Sequence, residues 1–223
     1  MGSKLHKNTK VFIIVSLLFT MNCSISHWLN YKDYNSIDSA QNGWAQCLRL
    51  DLSNQNLKEI PRDILKLQGK CLGNFRADHN QISEFPKFMC AFFKRLNYMY
   101  LEYNQFTIIP DTRCPSKKPD YFFKLNSLSY RGNQIKELPE NLDILAATHV
   151  DLSHNQIDYI PEKIDWRPVM TIDLSFNKIK RLPRRLGKHS IYIFNIANNE
   201  LESLPDSIGD IDTEIDKTGV KHF

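Results

Sequence analysis

Proline recurs along this chain at one place in a repeated pattern, and no other feature constrains the fold as much. Pro61, Pro86, Pro110, Pro139, Pro161, Pro183 and Pro205 close the segments DLSNQNLKEIP, ADHNQISEFP, LEYNQFTIIP, YRGNQIKELP, DLSHNQIDYIP, DLSFNKIKRLP and NIANNELESLP. Seven of the ten prolines fall there, so chance is excluded. Six residues before each proline stands an asparagine (Asn80, Asn104, Asn133, Asn155, Asn177, Asn199), or Gln55 in the first segment. The segments run 47–71, 72–95, 96–124, 125–146, 147–168, 169–190 and 191–212. A unit this short cannot bury its apolar face alone and must stack on its neighbours.

Places are counted here from the first apolar position of each segment. The fourth and sixth are apolar, as in Leu50/Leu52, Met99/Leu101, Val150/Leu152 and Ile172/Leu174. That alternation predicts a short strand with one face buried, and stacking in a constant direction predicts a parallel sheet. The ninth-place amide both donates and accepts, so a column of asparagines can satisfy backbone groups where the chain leaves the strand. The eleventh and fourteenth places are apolar throughout and fill the interior. Proline, with φ fixed and no N–H, then starts the return path. Most segments have only 22 residues, which leaves room for short helical or 3₁₀ turns and not for long helices.

With these motifs, residues 47–212 resemble the leucine-rich repeat (LRR) family, and the L-P-x-x-I flavour looks like the Ras-suppressor-like subclass. The resemblance implies an α/β solenoid of about seven repeats, with short parallel strands on a concave face and short turns on the convex side. It also implies a non-catalytic module that binds a protein partner on the concave face. Segment three is the longest, at 29 residues. Its excess holds Pro115, Lys117, Lys118 and Pro119, and Arg113 stands at its otherwise apolar eighteenth place. A rearranged convex side explains this better than a binding loop.

The first acidic residue is Asp33. Before it come Lys4, Lys7 and Lys10 and the apolar run Val11 to Met21, a secretory signal pattern too short to span a bilayer. Ser24 and Ser26 suit cleavage before His27. Residues 1–26 are therefore expected to be a signal peptide, with 27–46 a capping segment and 213–223 a tail. Cleavage would leave 26 basic and 25 acidic residues, lowering the net charge from +4 to +1. The expected location is extracellular or the ER lumen. A second reading is a cytosolic or membrane-tethered adaptor that regulates a signalling partner. Extracellular family members usually carry cysteine-rich caps, which are not visible here, and the 22-residue L-P repeat is commoner inside cells. A membrane contact is expected only if the N-terminal segment stays uncleaved.

The same cut removes Cys23 and leaves Cys47, Cys71, Cys90 and Cys114. Cys90 and Cys114 share the nineteenth place of adjacent segments. Cys47 opens the first segment and Cys71 closes it. Disulfides 47–71 and 90–114 are expected; four buried thiols are the alternative.

Residues 27–46, with Trp28, Tyr31, Tyr34 and Trp44, would cover the first strand's edge by aromatic packing. The acidic DIDTEID near the C-terminus fails as a calcium loop, because its sixth place is Ile215 and its twelfth Lys221. It is expected to be a solvated tail. Phosphate-loop, dinucleotide, zinc-protease and serine-hydrolase motifs are missing. The repeat leaves no room for a catalytic domain, so no enzyme, cofactor, metal or small-molecule substrate is expected. The basic run Lys178, Lys180, Arg181, Arg184, Arg185, Lys188 falls on the turn and convex side, next to an acidic segment. It reads as a solvated face and not as a nucleic-acid site. The candidate site is the concave centre: Arg76, Asp78, Tyr98, Tyr100, Glu102, Tyr103 and Arg131. Tyrosine and arginine are the residues enriched at binding hot spots. The segments from residue 147 onward offer a duller surface of Asp151, Ser153, Asp173, Ser175 and Phe176.

Overall fold

The computed structural model describes residues 31–43, 47–92, 95–109, 125–140, 147–164, 169–184, 186 and 191–206, and the backbone of 214–216. The strands are β1 (Lys32–Tyr34), β2 (Cys47–Asp51), β3 (Cys71–Arg76), β4 (Tyr98–Tyr100), β5 (Leu125–Ser129), β6 (Ala147–Asp151), β7 (Thr171–Asp173), β8 (Ile193–Asn195) and β9 (Glu214–Asp216). They form one sheet of nine parallel strands in sequence order. A six-residue helix, α1 (Ile37–Asn42), lies between β1 and β2.

The register follows the alternation read from the sequence. Fourth-place residues pair down the array as Leu50↔Phe75, Phe75↔Met99, Met99↔Leu128, Leu128↔Val150, Val150↔Ile172 and Ile172↔Phe194. All of these are buried, as are most residues at the sixth, eleventh and fourteenth places. The third and fifth places share the opposite, concave face.

Proline starts the return path as expected. Its carbonyl accepts from the N–H three residues on at Pro61–Ile64, Pro86–Met89, Pro161–Ile164 and Pro183–Leu186, at 3.0–3.1 Å. The convex side carries 3₁₀ turns, Arg62–Leu67 and Lys87–Ala91. The segment-three insert lies outside the described residues.

Both ends differ from expectation. The capping segment extends the sheet as well as covering it: β1 pairs with β2, and Tyr34 is buried beneath. Ser36 caps the N-terminus of α1 by accepting from the Ser39 N–H at 3.2 Å. Lys70 Nζ donates to the carbonyls of Ala40, Gln41 and Gly43 at 2.8, 3.0 and 2.6 Å, placing a cation where a helix C-terminus favours one. Trp28 and Trp44 lie outside the described residues. At the other end, residues 214–216 form an added strand, so the tail is not merely solvated. Main-chain pairing to an exposed edge explains this, since β8 would otherwise present unpaired N–H and C=O groups.

The Cys47–Cys71 bond is absent. Cys47 keeps its thiol while Cys71 and Cys90 are each disulfide-bonded. Cys47 and Cys71 are register partners on adjacent parallel strands. Such neighbours sit about 4.7–4.9 Å apart with near-parallel Cβ vectors, wider than the roughly 3.8 Å that a disulfide's Cβ atoms prefer. Burial pushes the Cys47 thiol pKa up, against the opposing pull of Arg95. Cys23, Cys114 and residues 1–26 lie outside the described residues.

Candidate functional site

The asparagine column is built as the sequence implies. Asn155 Nδ2 donates to the carbonyls of Tyr130 and Leu152 at 3.0 Å and of Ser153 at 3.2 Å, while its Oδ1 accepts from the Ile135 N–H at 3.0 Å. Asn80, Asn104, Asn133, Asn177 and Asn199 repeat the arrangement, each tying its own turn to the preceding segment. All six are buried. Gln55 replaces asparagine in the first segment, and its longer side chain reaches the Asn35 carbonyl of the cap at 3.0 Å.

Just before this column the backbone turns left-handed. Asn54, His79, Tyr103, Gly132, His154, Phe176 and Asn198, the eighth place of every segment, all have φ between 49° and 68°. Aromatic residues seldom adopt this conformation. Here they gain ring contacts: His79 stacks on Tyr103 at 4.5 Å and His154 on Phe176 at 4.2 Å. A Cβ at Gly132 would come within 2.4 Å of the Tyr103 ring, so only glycine fits beside it. The sequence shows these residues at a shared place but carries no sign that the place is left-handed.

The concave centre brings the predicted residues together. Asn74, Tyr98, Ser127 and His149 form one column, and Arg76, Tyr100, Ser129 and Asp151 the next. The Arg76 guanidinium lies 5.1 Å from the Tyr100 ring centroid, within cation–π range. Its Nε donates to Asp78 Oδ2, and this bond pushes the Arg76 pKa further up. Asp78 itself is only 4% exposed, and its Oδ1 accepts from the Glu102 N–H at 2.8 Å. Asp78 therefore orients Arg76 from below and offers a partner little surface. Arg131 donates from Nε to the Tyr103 hydroxyl at 3.2 Å and from a terminal nitrogen to Ser153 Oγ at 2.9 Å. Tyr103 is exposed; Tyr98, Tyr100, Glu102 and Arg131 are half-buried. Arg76, Tyr100, Tyr103 and Arg131 are thus held in place by contacts within the chain. Burial, then the nearby Asp78 charge, pushes the Glu102 pKa up against a hydrogen bond from Ser129.

The described part of the basic run, Lys178, Lys180, Arg181 and Arg184, lies off these strands; Arg185 and Lys188 lie outside the described residues. Arg181 faces Glu202 at 3.5 Å, and the Arg184 N–H donates to Glu162 at 3.1 Å, so acids of adjacent segments interleave with it. Among the described residues, no group of three or more His, Cys, Asp or Glu could hold a metal ion.

The fold is that of a leucine-rich repeat solenoid. An LRR protein of Leptospira interrogans superposes with a TM-score of 0.54 at 20% identity, over 86% of this chain and 60% of that one. A plant ice-binding protein superposes at 0.53 with 19% identity, over 82% and 66%. The chain thus spans about three fifths to two thirds of these two neighbours' length. No family model and no curated protein sequence matches it.

Proposed function

We propose that the chain is a non-catalytic LRR scaffold that enters the secretory pathway and binds a protein partner on its concave face. One observation carries this: Arg76, Tyr98, Tyr100, Tyr103 and Arg131 converge on one solvent-facing surface, with both guanidiniums braced by internal hydrogen bonds. Braced arginines and tyrosines lose little side-chain entropy on binding, which favours affinity. The Ras-suppressor-like subclass and the count of seven repeats belong to this proposal too.

Two experiments test it. A partner captured from the compartment where the protein resides is titrated against Tyr100→Ala and against the convex control Lys180→Ala. The first should weaken binding by about tenfold or more and the second should leave it unchanged, as expected for a hot-spot residue. Equal affinities would remove the anchor. For secretion, N-terminal sequencing should find a start at His27; an intact Met1 would favour the cytosolic adaptor.

A further inference from the structure

The concave half formed by β6–β8 is chemically unlike the braced centre. Its floor is small and acidic. Ser153, Ser175 and Ala197 are buried, and Asp151 and Asp173 face solvent beside Asn195. No lysine or arginine lies on the strands β6, β7 or β8 themselves. The Tyr103 bond pushes the Arg131 pKa up against the opposing effect of burial, and the charge of Asp151 adds to the rise. Asp173 has no such cation: it accepts from Ser175 N–H and Oγ at 2.8 and 2.6 Å and from Asn195 at 3.0 Å, all neutral donors. Its charge stays uncompensated by any ion pair among the described residues.

Large apolar side chains flank this floor on both sides. At the strand starts, Met170, Tyr192 and Ile193 are 43, 64 and 49% exposed, and their backbones lie side by side, with the Tyr192 N–H donating to the Met170 carbonyl at 2.7 Å. At the strand ends stands the exposed Phe176, stacked on His154. From the third to the eighth place is roughly 16 Å of chain, enough for one polypeptide segment between the rims. Exposed apolar area of this kind, rimming polar ground, marks a contact surface.

We infer that this trough docks a protein segment in which a lysine or arginine lies between apolar side chains, the cation over Asp173 and the apolar groups against Ile193, Tyr192 and Phe176. Charge complementarity selects this occupant. An acidic floor repels nucleic acid and anionic lipid, and an acidic peptide would bury like charges together. The inference rests on the concave-face proposal and names the chemistry of the partner there.

The test is a phage-displayed random peptide library selected on the full-length chain, with the enriched peptides then titrated. Enriched peptides should share a lysine or arginine flanked by aliphatic or aromatic residues. Asp173→Asn and Ile193→Ser should each weaken their binding by about tenfold, which corresponds to about 1.4 kcal/mol, and Tyr100→Ala should not. Ile193 is exposed, so its substitution keeps the fold and covers the case in which losing Asp173's contacts disturbs the strand. Acidic winners, or no winners, would overturn the trough. Binding lost in Tyr100→Ala but kept in the other two would also overturn it, while leaving the concave-face proposal standing. Self-association in sedimentation that Ile193→Ser abolishes would assign the trough to a second copy and equally overturn it.

Discussion

A single asparagine in this chain does the work of a backbone strand at the point where the strand stops. Asn155 satisfies three carbonyls and one N–H, all buried, so its removal leaves polar groups with no water to replace it. Asn155→Ala is expected to lower stability by about 1–3 kcal/mol, read by chemical denaturation; an unchanged midpoint would count against the ladder. Tyr130 makes the opposite case. It is fully buried in the sixth place, its ring meets Phe106 edge-on at 5.2 Å, and its hydroxyl has no hydrogen-bond partner among the described residues. Burial pushes that phenol's pKa up. Tyr130→Phe removes an unsatisfied group at constant shape, and should raise stability by up to about 1 kcal/mol. A loss of stability there would mean the hydroxyl is satisfied in solution. Glu102 adds a pH dependence. A carboxyl whose pKa is raised on folding contributes stability below its unfolded value, about 4.3, and loses it as pH rises through the higher folded value. Thermal melts of Glu102→Gln should therefore improve relative to the unaltered chain as pH rises from about 4 toward neutrality; a constant difference would contradict this.

At the scale of elements, strands, asparagine column and proline-started turns were legible because each rests on one residue type at one repeat position. The register of β2–β8 follows directly from that alternation. Other features were not legible, for physical reasons. β1 and β9 are recruited by main-chain hydrogen bonding to the edges of the array, which leaves no side-chain signature in three-residue strands. The left-handed eighth place accepts His, Tyr, Phe, Asn and Gly alike, so residue type does not betray it. Asp78 read as a surface contact because alternation gives its face but not its depth. Cysteines at matching ends of the first segment suggested a bond that parallel in-register geometry disfavours. The cap supplies its own prediction. Lys70 holds α1 through three carbonyls, so Lys70→Met should cost about 1–2 kcal/mol and speed amide exchange in residues 37–43. Unaltered exchange would show the cap is held by other contacts.

The whole molecule is a single-file stack in which each segment touches chiefly its neighbours, so local losses propagate along one dimension. Its concave face carries two different halves, a braced arginine–tyrosine centre and an acidic trough with apolar rims, whereas the acids that interleave with the convex basic run leave little distinctive there. Bulk charge of +4 is too small to choose a partner, so the proposed recognition rests on the pattern along the curve. The claim that matters most is that this face, and not the convex one, meets the partner. Placing a photo-crosslinking amino acid at Tyr98 and, separately, at Lys180 tests it in the intact protein. Crosslinks to the captured partner from position 98, with none from position 180, are predicted; efficient crosslinking from position 180 alone would contradict it.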